Sequence, residues 1–348
     1  MHFTSDNAIP AAPEIMQAIM DCNTGGTGGY GSDPYCDEAI AKIREIFEAP
    51  EAAVYFVTTG SAANALALAT LVEPFECVFC HTEAHINTDE CGAPEFFTNG
   101  AKLVGIHGAD GKLHPDELKN VIKATGTLGV HNVQRGAVSL TNLTEAGTSY
   151  SVAELTALCD IAKSFNRPVH LDGARFANVI ASGNHSPADH SWRAGVDVVV
   201  LGGTKNGLMM GEAVVIFDPK KAWEFELRRK RGGHLVSKGR YLGAQFSAFL
   251  NDDLWLTYAR HANAQMAKLY AGLKSKTDVE FDFTPAGNVA FIRFPRALHQ
   301  DLHAAGAKYY LFPADQSLEG QPEEVLSARL VTSWCTTDEE LEHFMSFF

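Results

Sequence analysis

Residues 169–207 read VHLDGARFANVIASGNHSPADHSWRAGVDVVVLGGTKNG, and this stretch decides the fold class. It opens on a short apolar run (169–171) and closes on a longer one (196–201), each the length of a buried strand. The intervening residues leave room for one helical crossover, so the two strands are expected to be parallel neighbours in an α/β sheet. Each run ends in glycines and a charged residue: Asp172 followed by Gly173 and Arg175, then Lys205 between Gly202–Gly203 and Gly207. Open α/β sheets bind ligands at the carboxyl ends of their strands, which is where this reading places the acid and the amine.

Upstream, residues 52–72 (AAVYFVTTGSAANALALATLV) carry no charge and invite a membrane-span reading. The polar centre TTGSAAN would be costly at mid-bilayer depth, and its glycine would break a helix. The expectation is instead a strand at 54–57, a tight turn, and a helix from Ser61 to about Val72. Further buried strands are expected at 77–80, 137–140 and 213–217. Helix starts are marked by Pro115 and by two capping boxes, Ser151 with Glu154 and Thr337 with Glu340. After about residue 245 the pattern becomes a long helix, a β-rich segment, another helix and SARLVTSW, which reads as a smaller α+β domain.

Composition narrows the function. The chain has 348 residues, 46% hydrophobic and 20% charged, the balance of a globular protein rather than a disordered or coiled-coil one. Its 28 basic and 42 acidic side chains give a net charge of −14, unsuited to nucleic acid. Seven cysteines in a long chain favour reduced thiols and a cytoplasmic location, and the first residues lack the pattern of a signal peptide. Neither membrane nor nucleic-acid partners are expected.

Two motifs mislead. GGTGGYG (25–31) contains G-x-G-x-x-G, but PEIMQAIM before it reads as a helix where a dinucleotide fingerprint needs a strand. Cys77, Cys80, His81 and His85 mimic zinc spacing, yet residues three apart in a strand point to opposite faces. Two core thiols and no metal are expected, with His85 unexplained by packing.

Three features carry chemistry. Thr59, Gly60 and Ser61 begin a helix, where free N–H groups and the dipole favour a phosphate, although simple capping by Ser61 would be spelled the same way. Asp172 emerges from one strand. Lys205 leaves the next, and enclosure there would favour the free amine that attacks a carbonyl. Pyridoxal 5'-phosphate needs all three: an amine for the Schiff base, an acid to keep the pyridine nitrogen protonated, and a seat for its phosphate.

The chain also resembles the threonine aldolase and β-eliminating lyase family of fold-type I pyridoxal-phosphate enzymes, especially the low-specificity L-threonine aldolases and a bacterial subgroup that includes phenylserine aldolase. The resemblance rests on SDN (5–7), GYGSDP (29–34), TGSAAN (59–64), HTEAHINTDECGAPEFFTNGAKL (81–103), HLDGAR (170–175), GGTKNG (202–207) and ARLVTSW (328–334). It implies an aspartate aminotransferase-like three-layer sandwich: an N-terminal arm (1–35), a cofactor-binding large domain (36–245) and a small C-terminal domain (246–348). It implies that Lys205 carries the cofactor and Asp172 pairs with its ring nitrogen. His85 would stack on the ring and is a candidate base, Gly60 and Ser61 would hold phosphate, and Arg175 would lie near ring or substrate. Ser5 and Arg329 would bind the substrate carboxylate, and Lys238 or Arg240 are candidates for a cation crossing to a neighbouring subunit. A dimer or dimer of dimers is implied. One departure stands out: many family members carry a histidine in the stretch corresponding to TNLTEAGT (141–148), where this chain offers Thr144 or Glu145. The implied reaction is reversible cleavage of a β-hydroxy-α-amino acid (threonine, allo-threonine or phenylserine) to glycine and an aldehyde. β-Elimination or transamination on the same cofactor is the alternative.

Overall fold

Seven apolar segments form the main strands: β1 (Ala53–Val57), β2 (Glu76–His81), β3 (Lys102–Ile106), β4 (Gln134–Thr141), β5 (Val169–Asp172), β6 (Val198–Gly202) and β7 (Glu212–Ile216). The computed structural model describes residues 1–183 and 185–348. The strands make one sheet in the order β1-β7-β6-β5-β4-β2-β3, in which β7 alone runs against its neighbours. β5 and β6 are adjacent and parallel, as the 169–207 stretch predicts.

Alternation along the strands divides the apolar side chains between two faces. In β6, Val199 and Leu201 join one core cluster with Leu171, Val138 and Val215, whereas Val198 and Val200 join another with Val57 and Val214. The helix Gly60–Leu71 lies on the second face with Ala62 through Thr70 all buried. This accounts for its charge-free spelling: a helix enclosed on every side needs no polar stripe. Among the described residues, no helix is long and apolar enough to cross a membrane. Cys77 packs in the first cluster and Cys80 on the opposite face, so the two thiols do not converge. Residues 25–31 form a loop after the helix Pro13–Cys22, so the dinucleotide fingerprint lacks its strand. Both capping boxes are formed.

A second, antiparallel sheet contains β8 (Glu280–Phe281), β9 (Val289–Pro295), β10 (Tyr310–Leu311) and β11 (Val325–Val331), in the order β10-β11-β9-β8. In β11, Leu326, Ala328 and Leu330 enter a small core, which leaves Arg329 on the other face. The N-terminal arm reaches that core: Phe3 is buried in it, donates its N–H to Lys308 O (2.8 Å) and accepts from Val331 N (3.0 Å).

Two features lie outside the sequence reading. The edge strand β3 is missing from the sequence reading, because KLVGI is short, half exposed and interrupted by glycine. The boundary at residue 245 falls inside the helix Arg240–Leu250, whose Phe246 and Phe249 belong to the large core. The change of core occurs along the next helix, Leu254–Leu273: Trp255 and Tyr258 face the large core, Met266 and Leu269 the small one.

Candidate active site

The carboxyl edge of the parallel strands gathers most of the chemistry. Asp172, the last residue of β5, is buried, and each of its oxygens accepts a hydrogen bond. Oδ1 takes the N–H of Ala174 (3.0 Å) and Oδ2 the Nδ2–H of Asn64 (2.9 Å). Asn64 stands in the first turns of the helix Gly60–Leu71 and also donates to Oε1 of Glu90 (2.9 Å). Glu90 in turn meets Nδ1 of His85 at 2.8 Å. A hydrogen-bonded chain, His85–Glu90–Asn64–Asp172, therefore spans three separate parts of the sequence.

That chain sets the state of His85. The Glu90 carboxylate raises the affinity of the imidazole for its proton, against burial, which works the other way. Asp89 lies 3.4 Å from Nε2, so both ring nitrogens face acids. Acids at both ring nitrogens favour the charged form of the imidazole.

Lys205 lies in the short turn Thr204–Asn206 beyond β6 and is half-buried. Asn206 anchors the turn by donating to Trp255 O (2.8 Å), and Gly203 N–H donates to Glu212 (2.9 Å). Gly203 is needed for closeness: a Cβ there would stand 2.3 Å from Leu208 and 2.8 Å from Gly211 O. At the start of the helix Gly60–Leu71, the side chain of Thr59 accepts from Ala62 N (3.2 Å) and its carbonyl from Ala63 N (3.1 Å). Thr59, rather than Ser61, is thus the cap, and the N–H groups of Gly60 and Ser61 have no intrahelical acceptor. The space beyond Gly60 is open. A helix N-terminus with two free donors, open space, a carboxylate and an amine at one sheet edge fit pyridoxal phosphate in donor type and arrangement.

The substrate side is built from the chain's extremities. Arg175 is clamped by Asp6 through Nε (2.8 Å) and Nη2 (3.0 Å), and Asn288 donates to the same carboxylate (3.1 Å). Burial would raise the Asp6 carboxyl, but the charges of Arg175 and Lys205 outweigh it and hold it below the usual range. Arg329 touches Thr4 O through Nη2 (3.4 Å), and its buried Nε has no partner among the described residues. Burial and the positive charge of Arg175 both disfavour its own. Two guanidiniums, one with an unsatisfied fork, make a site for an anion such as a carboxylate. Ser5 accepts from Asn7 N (3.1 Å) and caps the turn Asp6–Ala8 beside Thr4.

Residues from 141 to 148 divide into a structural and an exposed part. Thr144 is buried and its hydroxyl is engaged with Thr148 (2.7 Å). Glu145 is half-buried and lines a cleft with Ala84 and Thr141, and Thr141 pairs with Asp172 across the sheet. Its charge reaches His85, Arg175 and Arg329. Lys238 is exposed on the turn before the helix Arg240–Leu250. Arg240 is committed elsewhere, to the carbonyls of Cys22, Thr24 and Gly25.

A family model described as beta-eliminating lyase matches residues 2–286. The chain belongs to the beta-eliminating lyase family. It is 38% identical to a low specificity L-threonine aldolase of Pseudomonas aeruginosa, over 97% of this chain and 94% of that one. A low specificity L-threonine aldolase of a Pseudomonas species is 36% identical, over 97% and 93%. The solved structure of Leishmania major threonine aldolase superposes with a TM-score of 0.91 at 29% identity, over 99% of this chain and 97% of that one. The fold is that of the fold-type I enzymes. Asp6, Asn64 and Glu90 sit inside the SDN, TGSAAN and DECGAPEFF strings of this family member, but Arg175 and Asp172, the partners of Asp6 and Asn64, are distant in sequence, and the strings alone assign none of the three a role.

Proposed function

We propose that the protein is a pyridoxal-phosphate-dependent aldolase that reversibly cleaves β-hydroxy-α-amino acids to glycine and an aldehyde. One observation carries the reading: Asp172 and Lys205 leave adjacent parallel strands at the edge where Gly60 and Ser61 present free N–H groups. The family and the similarity to aldolases over nearly the full chain support the reaction class.

Bound through Lys205, pyridoxal phosphate supplies an electron sink for the bond broken at Cα. Gly60 and Ser61 would hold its phosphate and Asp172 its ring nitrogen, with Asn64 and Ala174 fixing that carboxylate in place. Arg329, with Ser5 nearby, would grip the substrate carboxylate, and this grip sets which bond at Cα stands across the ring. Arg175, tied to Asp6, adds positive charge beside it. His85 is assigned to packing against the cofactor ring, with its proton held by Glu90. Glu145, the half-buried carboxylate whose charge acts on His85, Arg175 and Arg329, is assigned as the acceptor of the β-hydroxyl proton.

Two expected outcomes follow from these roles. Arg329→Ala should raise KM for amino acids by roughly 10- to 150-fold, the ~1.5–3 kcal/mol of a charge-assisted hydrogen bond; an unchanged KM removes Arg329 from the carboxylate site. Glu145→Gln should lower kcat by about 10²- to 10⁴-fold, the scale of general-base catalysis. An unchanged kcat in that variant would return the role to another group.

The reading itself is tested by aldehyde release from L-threonine, L-allo-threonine and L-phenylserine, with pyruvate release from L-serine as the contrast. Aldehyde with glycine supports it, and pyruvate alone would replace it with β-elimination. A dimer or dimer of dimers is proposed, consistent with exposed Met20, Phe96, Trp223 and Leu227. A cytoplasmic location fits the seven unpaired thiols.

A further inference from the structure

Glu212, the first residue of β7, is a buried acid with no part in the chemistry above. Its register places it between two functional turns. On one side it pairs with Gly202, the last residue of β6 before the Lys205 turn. On the other it pairs with Val57, the last residue of β1 before Thr58–Ser61. Its Oε2 accepts the N–H of Gly203 (2.9 Å), two residues from Lys205, and the Thr204 hydroxyl lies beside it. Thr204 is held in turn by Gly211 N–H (3.0 Å), the residue preceding Glu212.

A carboxyl in this position is unusual, because a glycine-rich turn could be anchored by neutral groups without burying an acid. The charged groups that act on it are Lys205, from the turn after β6, and Asp172, from the end of β5. The β1 side contributes apolar Val57, and the helix Gly60–Leu71 faces the same region with alanine and leucine. Besides the Gly203 and Thr204 hydrogen bonds, the charges acting on it are thus one cation and one anion, both from the functional turns.

We propose that Glu212 is a positioning residue: it staples the Lys205 turn through Gly203, and its proton is coupled to the charge on the Lys205 nitrogen. While that nitrogen is positive, Glu212 is the carboxylate that balances it. When the nitrogen loses its charge, Glu212 takes up a proton and remains a hydrogen-bonded acid, so the buried turn never holds an isolated charge. Burial pushes this carboxyl up to about 7, against the hydrogen bonds of Thr204 and Gly203 and, after them, the charge of Lys205, all of which pull it down, while Asp172 pushes it up. The exchange thus falls within the range where such an enzyme works.

The inference rests on the assignment of Lys205 as the cofactor-bearing amine, and the tests separate the two. In the cofactor-loaded enzyme, Glu212→Gln keeps an acceptor for Gly203 N–H but removes the titrating charge. The pH midpoint of the visible cofactor band should fall by about half a unit or more, since an opposite charge near the Lys205 nitrogen is lost. In the cofactor-free protein, a carboxyl raised by folding gives stability below about pH 4.5 that is lost as pH rises through about 7. Glu212→Gln should therefore gain in melting temperature relative to the parent as pH goes from 5 to 8. Glu212→Ala, which also lacks the staple, should show the same relative gain and bind the cofactor at least tenfold more weakly. An unchanged band midpoint, or parallel melting curves for parent and both variants, overturns the coupling. Absence of any visible band in the parent protein overturns the Lys205 assignment itself.

Discussion

Lys205→Ala is expected to lose turnover by on the order of 10⁴- to 10⁶-fold, the cost of deleting a nucleophile on which every later step depends. The loss should not be a folding defect. The turn is fixed by groups other than the lysine side chain: Asn206 on Trp255, Gly203 on Glu212 and Gly211 on Thr204. Removal of a half-buried side chain with these anchors intact should change stability by about 1 kcal/mol or less. The variant added to pyridoxal phosphate should give the absorbance of the free aldehyde rather than the red-shifted band of a lysine-bound cofactor. A normal band with normal turnover would refute the assignment.

The second large effect is expected at Asp172. Asp172→Asn preserves shape, and its carbonyl oxygen can still accept from Asn64 or Ala174. It cannot accept from both and also face a protonated ring nitrogen with negative charge. The amide's own N–H₂ would moreover confront the donor on Asn64 or on Ala174. The prediction is a fall in kcat on the order of 10²- to 10⁴-fold with KM changed far less, because the missing charge matters most when electrons arrive at the ring. Equal losses in kcat and in amino-acid affinity would indicate a collapsed site, and unaltered kcat would remove Asp172 from the chemistry.

The parts of the site that sequence makes legible are those encoded within one strand–turn unit. β5 followed by Asp172, β6 followed by Lys205, and β1 followed by the turn at Gly60 each carry their own apolar run and their own glycines. What escapes is held together by side chains far apart in the chain. Asn64 and Asp172 are 108 residues apart, and Asp6 and Arg175 are 169 apart. A buried asparagine is spelled the same whether it bonds to a carboxylate or caps a helix. The domain boundary escapes for a related reason: the helix Leu254–Leu273 is apolar along one continuous stripe, although its two halves serve different cores. The ring state of His85 depends on Glu90, five residues away in a segment without regular periodicity.

The N-terminal arm gives the molecule an order of assembly. Phe3 completes its hydrogen bonds with Val331, and Thr4 meets Arg329, so a segment made early is placed by segments made much later. At roughly 5–20 residues per second, a ribosome takes about 15–65 s to make the chain between them. β5, which ends at Asp172, and β6 with the Lys205 turn emerge well before that interval ends. The arm pairs with the small domain through an isolated bridge between His2 and Lys308, and Pro10 interrupts any longer pairing before the helix Pro13–Cys22 begins. The residues assigned to the cofactor lie within 60–205, whereas the contact of Thr4 with Arg329 cannot form until residue 329 has been made.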